Sequence, residues 1–398
     1  MNFTLPEDVL TILQRLNSHG YTAEVVGGPV RDFYLGTIPS DYDITTSATP
    51  DQIKSAFSDM RTVDTGIKHG TVTVVLHGEN YEVTTYRIDG EYKDGRHPES
   101  VEFTTRIEED LSRRDFTVNA MAYSPEEGIV DPFGGRRDIE ARIIRTVGSP
   151  DARFTEDALR MLRALRFSSK LGFGIAKETR ASLRGLWNRL SQVSKERICV
   201  ELTKLFDGAN AYSVLSEYAD LIAPLIGLDK IILPEKHRFD LASGYVRLLS
   251  VFALSSYDPA EDFRRAAISL KTDGATRDNG RAVLAALGTH DHSDKYKALR
   301  MLSALGEECA RTFISLRILL GDASTNATEA LESLIASGAA YRISDLAVGG
   351  KEMIGLGARG EAVGRALSEL LRLVMSEKIP NEREALIEAA REIIKNRI

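Results

Sequence analysis

The hydrophobic pattern of this chain changes period once, near Val147, and that change limits the architectures open to it. Before it, helix and strand signals alternate. Leu5, Val9, Ile12, Leu13 and Leu16 recur at the spacing of one helix face, and His19-Gly20 should end that helix. Short β-like runs follow at 23–26, 42–45, 71–76 and 81–86, with His77-Gly78-Glu79-Asn80 as a hairpin turn between the last two. After Val147 strand signals nearly vanish. Helical spacing then dominates to the end, as in Ala158, Leu162 and Leu165 or Val200, Leu202 and Leu205. The pattern predicts an α+β chain: a small head with a β-sheet, then an all-α remainder. Ser149-Pro150, 208–211 and 321–326 are linker candidates, and no internal repeat or low-complexity run interrupts the series.

Composition narrows the function classes. No run of 18 apolar residues exists, so no membrane span is expected. The start lacks the basic and apolar segments of a secretory signal. Cys199 and Cys309, the two cysteines, read as reduced core residues of a cytoplasmic protein. The net charge of −7 argues against a polyanionic partner only as an average. Residues 142–197 carry 13 Lys/Arg against 5 Asp/Glu, a local +8 that leaves −15 for the rest. A basic middle in an acidic chain is compatible with a polyanion site, although solvated helix faces also carry such charge.

Two constellations carry candidate chemistry. In Val25-Val26-Gly27-Gly28-Pro29-Val30-Arg31-Asp32 a strand meets a Gly-Gly turn and a helix start. Glycines allow a sharp turn and close approach of a ligand, and Arg31 adds a charge one turn inside. Asp41 and Asp43 alternate about Tyr42, so on a strand both carboxylates project from one face. Their repulsion calls for a cation, and oxygen ligands suit a hard one. Glu82 is a candidate third carboxylate. Taken singly, each feature is equally an ordinary turn, a strand-edge acid pair or a solvent-facing glutamate.

The second constellation begins at Arg113-Arg114-Asp115, inside a dense charge run, where Arg114 is placed to hold a triphosphate. It continues on a helix predicted to run through 155–167, capped by Thr155 or Asp151. There Asp157 and Arg160 share a face, and Arg163 and Arg166 continue the arginine row. One acid and one arginine on a rigid helix match a base edge that offers an exocyclic amine beside an acceptor, as cytosine and adenine do. An intrahelical salt-bridge ladder would show the same spacing.

Together these segments resemble five motifs of the class II CCA-adding enzymes, the tRNA nucleotidyltransferase and poly(A) polymerase family. Gly27-Gly28 through Asp41-x-Asp43 is similar to the first, and Arg113-Arg114-Asp115-Phe116-Thr117 to the second. Asp131-Pro132-Phe133-Gly134-Gly135 is similar to the third, Glu156-Asp157-Ala158-Leu159-Arg160 to the fourth, and Ser194-Lys195-Glu196-Arg197 with Glu201 to the fifth. The resemblance covers about residues 20–205. It implies a polymerase-beta-like nucleotidyltransferase head at 1–147, a helical neck with the base-reading helix at 148–208, and a helical body and tail for tRNA at 209–398.

It further implies catalytic Asp41 and Asp43 holding Mg2+, and nucleotide contacts at Gly28, Arg31, Arg114, Asp157, Arg160, Arg163 and Arg166; Glu82 is added as a catalytic candidate from its place in the β run alone. The expected reaction is template-independent addition of CCA to the tRNA 3′ end from CTP and ATP, by two-metal-ion catalysis with release of pyrophosphate. Neither a membrane nor an obligate protein partner is expected. Poly(A) or A-only addition, and a tRNA-binding protein without catalysis, are the alternatives. Family members that add only CC tend to lack a segment like 86–98, which favours full CCA or A addition here. That segment reads as a mobile loop from Asp89 to Pro98, a lid hinged at Gly90 and Gly95 for the switch from C to A.

Overall fold

The computed structural model describes residues 3–90 and 100–395. Contacts divide the chain into two units, Met1–Val214 and Leu215–Ile398. The first opens with α1 (Glu7–Ser18), which buries Val9, Ile12, Leu13 and Leu16. Next come β1 (Ala23–Val26), α2 (Gly28–Tyr34), β2 (Ile44–Thr46), α3 (Pro50–Ala56), β3 (Arg61–Gly66), β4 (Thr71–Leu76) and β5 (Glu79–Thr85). After β6 (Arg87–Asp89) and β7 (Val101–Phe103) come α4 (Ile107–Ser112), β8 (Ala122–Ser124), β9 (Gly128–Val130) and α5 (Gly135–Glu140). Seven strands form one sheet in the order β3-β4-β5-β2-β1-β8-β9. All four residues of β1 are buried, as a central strand requires. The strand therefore delivers its next residues, Gly27 and Gly28, to the sheet's edge with little positional freedom.

The hairpin between β4 and β5 turns on two residues, His77 and Gly78, rather than four. Both have positive φ, 52° and 91°, the twist that suits two-residue hairpins. The strand expected at 42–45 begins instead at Ile44, so Asp41 and Asp43 precede β2 rather than sit in it. The Ile44↔Val83 pair explains the limit: one residue earlier, Asp43 would face Glu82, and opposed like charges disfavour a ladder. Asp89 ends a strand rather than starting a loop, since β6 pairs with β7 through Asp89↔Val101. Gly90 donates its N–H to Ser100 O at 2.9 Å. The remainder of the expected lid, 91–98, lies outside the described residues.

The neck region departs from expectation at one point. The helix predicted through 155–167 is two helices, α6 (Pro150–Glu156) and α7 (Leu159–Leu171), preceded by β10 (Ile143–Ile144). Neither Thr155 nor Asp151 caps a start here, because α6 begins at Pro150 after Ser149. Asp157 makes the break: its backbone is extended, and its Oδ1 accepts Leu159 N–H at 3.0 Å, serving the first turn of α7. Strand structure also persists past Val147, since β11 (Gly174–Ile175) pairs in parallel with β10. Next come α8 (Lys177–Leu186) and α9 (Lys195–Asp207), which packs on α7.

The second unit contains only helical elements among the described residues. Its longest, Lys295–Leu320, starts at Asp294, whose side chain accepts Lys297 N–H, and is interrupted at Gly306 (φ 72°, ψ 170°). No described helix is long and apolar enough to cross a membrane. Neither Cys199 nor Cys309 is in a disulfide.

Candidate active site

The Gly27-Gly28 turn is where strand, helix and arginine meet. Gly27 has φ 82°, a conformation that side chains resist, and caps α2. A Cβ at Gly27 would lie 3.0 Å from the Arg114 guanidinium and crowd it. The turn is pinned from two sides, Gly27 N–H to Met121 O and Val26 N–H to Asp43 O, each 3.0 Å. Arg31 is 4% exposed. Its Nε and a terminal nitrogen donate to Asp32 at 2.9 and 2.7 Å, and its other terminal nitrogen donates to Asn119 Oδ1. It stands beside Gly28, its guanidinium 3.6 Å from where a Cβ there would be.

The acid cluster faces this turn. Asp41 and Asp43 are solvent-accessible, and Ser40 donates its hydroxyl to Asp41 at 2.9 Å. The Asp43 carboxyl is held above the ordinary aspartate range. Loss of water to neighbouring protein atoms is the main cause, Asp41 and Glu82 add to it, and Arg114 opposes it. All four predicted residues therefore share one electrostatic neighbourhood. Among the described residues no three acidic, histidine or cysteine side chains form a ready metal cage. Two carboxylates and open space still fit a hard divalent cation, which commonly completes its shell with water and substrate phosphates.

Behind the turn lies a cradle of paired charges. Asp110 of α4, fully buried, accepts Arg113 Nε and a terminal nitrogen at 3.0 and 2.8 Å and Arg114 at 3.4 Å. Burial pushes the Arg114 guanidinium down in basicity, with Asp110 opposing. Its Nε is buried without a hydrogen-bond partner among the described residues, so the group retains a free donor. Asp115 accepts Arg163 Nε at 2.8 Å and Phe116 N–H at 2.9 Å. Burial works to raise the Asp115 carboxyl, but Arg163, Arg160 and Asn119 together hold it below the usual range.

The α6–α7 break separates the two expected base readers onto different supports. Asp157 accepts Arg197 of α9 at 2.7 Å, besides the Leu159 amide. Arg160, 9% exposed, donates to Glu156 at 2.6 Å and to Arg113 O at 3.2 Å. Arg160, Arg163 and Arg166 share α7 but take different partners. Arg163 bridges Asp115 and, at 3.8 Å, Glu201, while Arg166 meets Glu201 at 2.7 Å and lies 4.1 Å over the Phe167 ring. Asp110, Asn119, Arg197 and Glu201 were not singled out as site residues in the sequence. Only Asp110 carried a local signal, standing three and four residues before Arg113 and Arg114.

Comparison with known proteins places these features. Residues 23–145 match the family model of the poly A polymerase head domain, and 172–222 match that described as the probable RNA and SrmB-binding site of polymerase A. The CCA-adding enzyme of Geobacillus stearothermophilus is 39% identical over 391 residues, 96% of this chain and 95% of that one. That of Geobacillus thermodenitrificans is 51% identical over 214 residues, 54% of this chain and 52% of that one. Among solved structures, the Bacillus stearothermophilus CCA-adding enzyme in complex with CTP superposes with a TM-score of 0.86 at 36% identity, covering 99% of each chain. The likeness thus runs past the shared head through the helical units to the end, and on that evidence the chain belongs to the CCA-adding enzymes.

Proposed function

We propose that this chain adds C, C and A in turn to the 3′ end of tRNA, consuming CTP and ATP and releasing pyrophosphate, with magnesium on Asp41 and Asp43. The observation that carries the reading is the position of Arg114. It lies against Gly27, feels Asp43, and keeps an unpartnered Nε, so a triphosphate crossing the turn meets a positive charge beside the acid pair. When bound, the divalent cation neutralises the triphosphate and makes the 3′-hydroxyl a better nucleophile. The hydroxyl oxygen bonds to the α-phosphorus as its proton passes to solvent, the bond to the bridging oxygen breaks, and pyrophosphate leaves.

The chain's own groups bind and select. Gly28 lets the phosphates approach the backbone, and Arg31 and Arg114 hold them. Glu82 adds negative charge that favours the cation. Asp157 accepts from the exocyclic amine of cytosine or adenine, and Arg160 donates to the neighbouring acceptor. Arg163 and Arg166, tied to Asp115 and Glu201, keep that wall rigid behind the base. In this reading the head (1–147) and neck (148–208) do the chemistry, and the body and tail (209–398) hold tRNA in the cytoplasm, where tRNA and nucleotides meet.

Three acceptors test it: tRNA ending before CCA, tRNA ending in CC, and oligo(A), each offered CTP and ATP. CCA on the first, a single A on the second and no tail on the third is the expected result. Extension of oligo(A) by ATP would replace it with poly(A) synthesis, and no incorporation on any acceptor would remove catalysis.

A further inference from the structure

Glu24 sits in β1, three residues before Gly27, with 1% of its surface exposed. The chemistry above gives it no part, yet a carboxyl at that depth is costly unless it is paired. The Tyr86 hydroxyl donates to it and lies 2.9 Å from Thr22 Oγ1. Tyr86 is itself fully buried at the root of the β6–β7 hairpin. Its N–H donates to Thr46 O at 2.8 Å, and its carbonyl accepts Thr104 N–H at 3.0 Å. The next residue, Arg87, donates its N–H to Asp110 Oδ1 at 3.3 Å. Asp110 holds Arg113 and Arg114, and Arg114 returns to Gly27. The contacts close a ring: Glu24, Tyr86, the Arg87 backbone, Asp110, Arg114, Gly27, and back along β1.

We propose that Glu24 is a positioning residue for nucleotide addition: through Tyr86 it fixes the hairpin root and Asp110, so that Arg114 keeps its place against the Gly27-Gly28 turn. This rests on the nucleotidyl transfer proposed above. The groups facing Glu24 are Asp110 and Glu108 from the α4 side, Glu127 from the β8–β9 turn, and Tyr86. Burial foremost, with the three acids adding to it and the Tyr86 hydrogen bond opposing, pushes the Glu24 carboxyl up to about 7. The ring therefore gains or loses a buried charge near neutrality.

The test uses the full chain with three variants, Glu24→Gln, Glu24→Ala and Tyr86→Phe. CTP and ATP binding is measured by calorimetry without acceptor, KM and kcat on the two tRNA acceptors across pH, and thermal unfolding alongside. Tyr86→Phe and Glu24→Ala should weaken binding of both nucleotides and raise KM by about tenfold, with kcat within about twofold. Glu24→Gln, which still accepts the phenol proton, should stay within about twofold of wild type below about pH 7 and lack the inflection near pH 7 expected in the wild-type KM. If Glu24→Ala does not fold, the other two variants decide. Wild-type nucleotide affinity in folded Tyr86→Phe, or a fall in kcat with KM unchanged, overturns the proposal. If wild type binds CTP and ATP but extends no tRNA, the functional reading fails while the binding series still judges Glu24.

Discussion

The acid pair and the arginine cradle, neighbours in one head, are built on opposite electrostatic plans. Asp41 and Asp43 stand accessible before β2, and loss of water, with Asp41 and Glu82 adding to it, holds Asp43 above its ordinary range. In the cradle the charges are matched: Asp110 with Arg113 and Arg114, Asp115 with Arg163, Glu201 with Arg166, Asp157 with Arg197. The first region is unfavourable until something cationic arrives. The second is paired beforehand, which holds Asp157 and Arg160 in fixed positions. A site that chooses a base without a template needs both, a charge deficit for the metal-bound triphosphate and a rigid edge for the base.

The largest effect should come from the unfinished side. Asp41→Ala or Asp43→Ala is expected to lower incorporation of labelled CTP and ATP at least about a thousandfold. Thermal unfolding should stay level or rise, because one like charge has gone. Turnover at the wild-type rate in either variant would take the metal away from these carboxylates.

On the finished side the same kind of change should damage the fold. Asp115→Ala leaves Arg163, whose side chain is 34% exposed, with only the more distant Glu201; losing the buried partner of such a pair costs up to about 3 kcal/mol, less where solvent screens the guanidinium. Urea unfolding measures it. An unchanged midpoint would mean that the cradle is held by packing rather than by its charges, and the contrast between the two regions would lapse.

Base choice should respond less. Asp157→Ala is expected to reduce discrimination against UTP and GTP by about tenfold or more while triphosphate binding persists. Arg197→Ala should give a smaller loss, since Asp157 keeps its hydrogen bond to the Leu159 amide. Competition between CTP and UTP on one acceptor reads both. Selectivity equal to wild type in both variants would show that the base is read elsewhere.

The two regions also differ in how far the sequence reveals them. The turn was legible because its demands are local: a strand of Ala23–Val26, two glycines for a positive φ and a close approach, and a proline at the helix start. The cradle was legible in its separate charges, such as Arg114, Asp157 and Arg163, but not in its pairings. Their partners come from elsewhere in the chain, Asp115 lying 48 residues from Arg163 and Asp157 40 from Arg197, and no spacing rule reaches that far. The α6–α7 break was hidden for the same reason. Phe154, Ala158, Leu162 and Leu165 keep helical spacing across it, and the competing interaction is the Asp157 cap held by α9. The strands β3, β8 and β9 were missed because short segments such as Arg61–Gly66 are recruited by sheet pairing rather than by their own propensity.

The last effect sharpens the contrast from beneath the turn. Glu24 belongs with the buried, paired side, but its partner is a neutral phenol, so it should titrate near neutrality where Asp115 does not. Its folded value of about 7 lies above the ordinary 4.5. The folded state therefore keeps a proton that the unfolded state has lost between those values, and unfolding there releases it. The stability this group supplies is fully present below about pH 4.5 and is lost as pH rises through about 7. Glu24→Gln cannot titrate, so subtracting its unfolding free energy from that of wild type isolates the term from every other ionising group. Between about pH 5 and about pH 8 the difference should shift against wild type by up to about 3 kcal/mol, less if water reaches the carboxylate once it is charged. Urea titrations of the two proteins at both pH values measure it. Curves that move in parallel would mean that Glu24 is ionised throughout, and that the Tyr86 hydrogen bond outweighs the burial and the three neighbouring acids that oppose its charge.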